Sequence, residues 1–434
     1  MRFRDAYDLE VSCENDAAMQ AFVRGIDASL RLDTPAIEEF EEAVSQDPEF
    51  ALARVALGRQ KLIHGDRKAA RGEYKKALAL KERVTPRESA AIDITIEGAN
   101  VIPQTFAHVA EYPRDVFVLA QLLSPFGTLA FAGIPDWREQ NAALLEETKP
   151  AYPEHDWWHT STRAFVSAEN GMLEQALQDG DLAWSISENG NCAHSLAHVH
   201  FEAGLLDEGS DFIHSWAEKY ADESDMRHHL RWHLCLLDID KGQDIGGQLS
   251  VYDRYLAPGI HDAVPLETLA DNASLLWRLR LADVEIPQET VDELLDFTEA
   301  RFPGCGFAFA DLHCAMTAAV HPDKDKLASQ LSALAEHAEQ SRLPVANFVH
   351  QCAKSFAAFA AEQYADVVAI LEPVLDDNPL IGGSNPQRRI VEETYLEASL
   401  RCGQNDKALA ILDKRNRSSS SFDKAQRKRA GQVA

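Results

Sequence analysis

Positive charge is scarce in this sequence relative to negative charge. Lysine and arginine total 42 against 70 aspartates and glutamates, leaving a formal net charge of −28 over 434 residues. Such a chain repels phosphate backbones and anionic lipid, which argues against nucleic acid and acidic membrane as partners. Paired cysteine motifs are missing as well. The seven cysteines, an odd number, are scattered without CxxC spacing. Cys192, Cys235, Cys305, Cys314 and Cys352 sit in apolar or helical surroundings, which reads as reduced thiols in a cytoplasmic protein and not as a disulfide framework. No P-loop, GxGxxG or GxSxG sequence occurs, so the usual nucleotide-binding and serine-hydrolase signatures are absent. The opening residues, MRFRDAYDLE, carry charges at Arg2, Arg4, Asp5 and Asp8 and no apolar core, so no secretory signal is expected there. One uncharged run, residues 116–135, is long enough to span a bilayer. Pro125, Gly127, Gly133 and Pro135 break it, and Gln121, Ser124 and Thr128 dilute it, so a buried helical hairpin is expected instead. Strand-like alternation is nowhere convincing, which leaves an all-α chain.

What is present is a repeat. Ala36, Phe40, Ala43 and Pro48 recur as Ala70, Tyr74, Ala77 and Glu82, at an offset of 34 residues throughout. Leu57 and Gly58 fall where a tetratricopeptide repeat carries its Leu-Gly/Ala pair. Small residues there let the two helices of a hairpin approach closely, and Phe40 or Tyr74 is expected to fill the gap against the next hairpin. Later units are more degenerate: Ala164, Gly171, Ala176 and Ala183 mark one, Gly204 the turn of another, and Gly403-Gln404-Asn405 with Ala408 the last. The expected fold is a single right-handed α-superhelix of tetratricopeptide-like hairpins over residues 1–415. Residues 416–434 hold four consecutive serines and a cluster of basic residues. By composition they form a polar, flexible tail that caps the array; the alternative is a basic arm docked on the acidic body.

Three histidine pairs lie four residues apart, His155/His159, His194/His198 and His229/His233, where 16 histidines placed at random would give roughly 0.6 such pairs. On a helix, residues four apart share a face. In NCAHSLAHVHFEAG, residues 191–204, His194, His198 and Glu202 form an H-x3-H-x3-E stripe. A zinc-protease helix would place a glutamate directly after the first histidine, and Ser195 stands there, so that reading fails. Two imidazoles and a carboxylate still suit Zn²⁺ or Fe²⁺. A polar groove holding no metal is the commoner use of such pairs. His200 lies off the stripe. RHHLRWHLCLLDID, residues 227–240, places His229 and His233 on one face beside Trp232, with His228 off it. If both helices line an inner surface, the four imidazoles converge. His313, beside Asp311 in an apolar helix, reads first as a satisfied core residue. IGGSNPQRRI runs from a glycine turn into a helix N-terminus capped by Ser384 or Asn385, with Pro386 at its first position. Ser384, Gln387 and Arg388 there form either a carboxylate cradle or a plain cap. Cys192 and Cys314, near histidines in sequence, are the candidate thiol nucleophiles, although buried cysteine is far commoner.

Seven collinear stretches resemble the tetratricopeptide repeat protein 38 family: EYPRDVFVLA, AHSLAHVHFEAGLLDEG, HLRWHLCL, YDRYL, DNASLLWRLRLADVEIP, DLH and GGSNPQR. They cover the chain from about residue 17 to 415. The resemblance implies a helical-repeat fold with no established activity. Its recurring polar residues fall here on His194, His198, Glu202, His229, His233, His313, Ser384, Gln387 and Arg388. Two departures matter. The family usually has His-Asn-Trp-Trp-His where this chain has His229-Leu230-Arg231-Trp232-His233, and a histidine where it has Asn385.

The leading functional expectation is a cytoplasmic protein that binds a peptide segment or small acidic ligand in a concave cavity lined by His, Arg and Trp. Arg278 and Arg388 would pair with carboxylate, and His313, Ser384, Gln387 and Trp232 would line the site. The alternative is an enzyme using His194, His198, Glu202, His229 and His233 as a metal or general acid–base centre. A protein-interaction scaffold is the third reading. Substrate, partner and oligomeric state are not readable from the sequence.

Overall fold

The computed structural model describes residues 3–123, 126–220, 224–243, 245–260, 263–415, 417 and 419–431. The repeat pattern marks no boundary before residue 415, but the packing falls into two compact units. The first is Met1–Ala132, Trp137–Val199 and Trp216–Arg227; the second is Gly133–Asp136, His200–Ser215 and His228–Ala434.

The first unit opens on a strand pair that alternation could not reveal, because each strand has only two residues: β1 (Phe3–Arg4) runs antiparallel to β2 (Glu10–Val11). Helices follow: α1 (Asp16–Arg31), α2 (Ala36–Gln46), α3 (Ala51–Ile63), α4 (Arg67–Leu80), α5 (Pro86–Glu97), α6 (Ile102–Glu111), α7 (Val116–Leu122), α8 (Trp137–Thr148), α9 (Trp157–Glu169) and α10 (Leu173–Ile186). Their starts are chemically marked. Asn15, Asp66 and Asp156 each accept a backbone N–H of the first turn, and Thr85 with Glu88 forms a capping box ahead of Pro86. The repeat logic is visible in α1–α4. A Cβ on Gly25 would lie 2.6 Å from the Phe40 ring, and one on Gly58 2.6 Å from the Tyr74 ring. Each aromatic therefore fills a gap inside its own hairpin. The reason is that glycine leaves a socket in the first helix where the second helix delivers its ring. The uncharged run does not form a helical hairpin. It gives the seven-residue α7 and a short turn at Ala130–Ala132, with Thr128 bonded back to the Gln121 carbonyl. Ser124 and Pro125 lie outside the described residues.

Helices α11 (Gly190–Ala203) and α12 (Leu206–Tyr220) supply residues to both units, and α13 (Arg227–Asp240) lies in the second from His228 onward. The second unit continues through α14 (Gln248–Val251), a π-helical turn at Tyr252–Leu256, α15 (Pro265–Leu281), α16 (Gln288–Arg301), α17 (Ala308–Val320), α18 (Lys324–Gln340), α19 (Pro344–Ala360), α20 (Tyr364–Leu371), α21 (Asn385–Arg401), α22 (Asn405–Arg415) and α23 (Ser421–Arg429). The architecture is all-α, built of paired helices. No described helix is long and apolar enough to cross a membrane. At the heart of this unit α15 is buried on almost every side: of its seventeen residues only Leu266, Glu267 and Arg280 escape full burial. Packed against it are α17 and α21.

The C-terminal segment is helical over residues 421–429. They form α23, with Ser420 as its N-cap. The basic residues that composition assigned to solvent have buried carboxylates to satisfy. Arg417 donates to Asp240 at 2.7 Å, and Arg429 holds Glu397 through both terminal nitrogens at 2.6 and 2.8 Å. Ser419 fills the space over Gly204, where a Cβ would come within 2.1 Å of its hydroxyl. Residues 416, 418 and 432–434 lie outside the described residues.

Candidate functional site

On α11, the spacing of four does bring His194 and His198 together. Their Nε2 atoms are 3.0 Å apart, and both rings pack on Phe165. His198 is buried and His194 half-buried. Glu202, the third member of the stripe, serves other groups. Its charge is felt by Arg389 and Arg417, the two guanidiniums stacked on the Phe201 ring. His200 packs on Phe212.

In the second unit a polar centre is built on α15. His229 Nδ1 lies 2.8 Å from Asp271 Oδ2, and both residues are fully buried. Burial drives the Asp271 carboxyl well above the ordinary range, against the pull of Arg278, and takes His229 down to about 3. Both shifts favour the neutral pair. His233 packs edge-on against His229 and Trp232. The Trp232 ring stacks on His229 and its indole N–H donates to Ser274. His228 sits farther out, 3.8 Å from Asp271.

Arg278 is the hub of this centre. It pairs with Glu393 at 2.9 Å, donates to the Pro386 carbonyl at 2.9 Å and to the Ser274 carbonyl at 3.3 Å, and lies over Trp232. Its field reaches both Asp271 and His313. It also lines a cavity of about 340 Å³ shared with Leu281, Glu393, Leu396 and Phe422. The two arginines expected to await a ligand carboxylate are thus both engaged by the protein. Arg278 has Glu393, and Arg388 donates to the Gly383 carbonyl and to Asn385.

His313, on α17, is satisfied on one side only. Its Nδ1 is 2.7 Å from the Phe309 carbonyl, which can only accept, so Nδ1 carries the hydrogen and Nε2 a bare lone pair. Burial lowers this imidazole to about 4 and keeps it neutral. Nε2 has no hydrogen-bond partner among the described residues. At the start of α21, Ser384 and Gln387 form a capping box. Gln387 Oε1 accepts from the Ser384 N–H at 2.8 Å and from its hydroxyl at 3.1 Å. That fixes the amide orientation and leaves Gln387 Nε2 as a buried donor, again without a partner among the described residues. The cap meets α17 directly: a Cβ on Gly383, whose φ is +77°, would lie 2.4 Å from the Phe309 ring and 3.1 Å from Gln387 Oε1.

The remaining candidates separate. His155 is exposed and precedes the Asp156 cap of α9, so no helix relates it to His159. His159 is buried against Tyr152 with Thr148 at 3.1 Å, and burial takes it to about 4. Cys192 and Cys314 are buried, which pushes both thiols up to about 12 and away from nucleophilic thiolate. Residue-type reasoning missed Asp271, Asn272 and Glu393. The signal for the first two was present: an Asp-Asn pair inside the apolar run LADNASLLW has to be buried with partners.

Known protein-family models give no match to this chain. Similar solved structures include Naa15/Naa10 bound to HypK-THB, with a TM-score of 0.26 and 16% identity over 91% of this chain and 62% of that one. Another is the TPR domain of P58(IPK), with a TM-score of 0.19 and 14% identity over 90% of this chain and 99% of that one. This chain thus spans less than two thirds of the length of the first. At such TM-scores neither likeness adds to what the helices themselves establish.

Proposed function

We propose that the second unit binds a small polar ligand, or a segment of peptide, at the centre gathered round Arg278. His229, Trp232, His313, Ser384, Gln387 and Arg388 line it. The observation that carries this reading is a set of fully buried polar atoms with no partner among the described residues: Asp271 Oδ1, Asn272 Oδ1, His313 Nε2 and Gln387 Nε2. Leaving each unmet costs about 1–3 kcal/mol, and a ligand with complementary groups recovers it. A carboxylate ligand must exchange for Glu393 on Arg278. The test is a thermal-shift screen of small carboxylic acids, amides and tripeptides on the intact chain. Stabilisation by a ligand that disappears in His313→Leu and in Gln387→Met supports the site. Stabilisation unchanged in both variants places the ligand elsewhere.

A metal or acid–base centre is the second reading, favoured by one observation. The Nε2 atoms of His194 and His198 are 3.0 Å apart, close to the separation of roughly 3.3 Å between two ligands on one tetrahedral zinc. Elemental analysis of the purified protein tests it. Less than about 0.1 equivalent of Zn, Fe or Mn, unchanged after loading, sinks this reading. The collinear motifs support membership of the tetratricopeptide repeat protein 38 family. Unpaired cysteines support a cytoplasmic location.

A further inference from the structure

The two unmet atoms nearest the start of α21 differ in kind. His313 Nε2 is an acceptor, because the Phe309 carbonyl fixes the hydrogen on Nδ1. Gln387 Nε2 is a donor, because the capping box fixes Oε1 on Ser384. Both side chains are fully buried. They are linked by two independent routes. The Phe309 ring lies 4.5 Å from the His313 ring, centroid to centroid, and touches the Gly383 turn that holds Gln387. Arg278 meanwhile donates to Pro386, next to Gln387, and its charge reaches His313.

An anion suits this pair badly. A carboxylate has no hydrogen for His313 Nε2, and two facing lone pairs repel. Proton uptake by His313 would supply one, but the neighbouring guanidinium and full burial both oppose a cation there. A cation finds one lone pair and is opposed by Arg278 and by the Gln387 amino group. The complement of one acceptor and one donor is a neutral group that carries both. We infer that the ligand group seated at His313 and Gln387 is an uncharged amide, donating N–H to His313 Nε2 and accepting from Gln387 Nε2 at its carbonyl oxygen. The class covers primary carboxamides, lactams and peptide units, and it leaves out carboxylates. This rests on the reading of the Arg278 centre as a ligand site and narrows it: of a peptide segment and a small acidic molecule, the peptide chemistry fits.

The closing experiment uses propionamide and propionate, which share a shape and differ in charge and donors. The full chain, labelled with ¹⁵N-histidine, is titrated with each, and the His313 resonances are assigned by their loss in His313→Leu. The expected result is that propionamide moves the Nε2 resonance away from its bare-nitrogen position, leaves Nδ1 in place, and binds about five- to tenfold more weakly in Gln387→Glu. That variant keeps the oxygen that caps Ser384 and removes the donor; Gln387→Met serves as the second variant if the first does not fold. A shift with propionate and none with propionamide overturns the amide assignment and leaves the ligand site standing. No shift with either overturns both.

Discussion

Arg278 spends one charge on several partners: Glu393, two backbone carbonyls and the Trp232 face. Arg278→Met leaves Glu393 nearly buried without its cation, so a loss of about 3–5 kcal/mol is expected. Urea unfolding measures it, and adding Glu393→Leu should recover most of the loss. The buried imidazoles give a pH signature. His159 and His313, one in each unit, each titrate near 4 in the fold against 6.5 in the open chain. A lowered histidine pKa means that the unfolded chain takes up protons first. Stability is therefore intact above about pH 6.5 and falls as pH drops toward 4, with a limiting slope of about 2.7 kcal/mol per pH unit for the two groups. Replacing either residue with glutamine should lower the limiting slope by about 1.4 kcal/mol per pH unit in unfolding measured from pH 7 to 4.5. At this scale the sequence was readable where the chemistry is local. His194 and His198 meet because four residues make a turn, and Ser384 and Gln387 cap because three residues suffice. Asp271 was invisible as the partner of His229 because 42 residues separate them. Only the packing of α13 on α15 brings them into contact.

Helical hairpins show the same division. Periodicity exposed the repeat, since Ala36, Ala43, Ala70 and Ala77 are all buried at their expected places. It did not reveal that Phe40 and Tyr74 pack on Gly25 and Gly58, because spacing alone does not say which helix faces a ring. The socket can be tested. Gly25→Ala is expected to destabilise the first hairpin, because its Cβ would fall 2.6 Å from the Phe40 ring. Phe40→Leu alone should also destabilise, and the double variant should cost less than the sum of the singles, which denaturation of all four proteins checks. Composition did not reveal the ion pairs of α23 because it counts charges without seeing what they neutralise. Removing residues 416–434 strips Arg417 from Asp240 and Arg429 from Glu397, two buried carboxylates. The truncated chain is expected to melt several degrees lower. An unchanged melting temperature would return the segment to the status of a loose tail.

Over the whole molecule, the net charge of −28 acts as a distributed internal pressure. Raising salt from about 10 to 150 mM shortens the screening length from about 30 to 8 Å. The melting temperature should rise over that range; a fall would mean that the ion pairs outweigh the repulsion. Against that background, Asp240 and Glu397 each hold two cations, one of them from the C-terminal segment: Arg417 joins Arg389 on Asp240, and Arg429 joins Arg401 on Glu397. Asp240 lies 177 residues before Arg417. During synthesis, Arg389 and Arg401 reach these carboxylates first, and Arg417 and Arg429 complete the pairs later. A ribosome paused before residue 417 would therefore hold a second unit in which each of these carboxylates is paired once instead of twice.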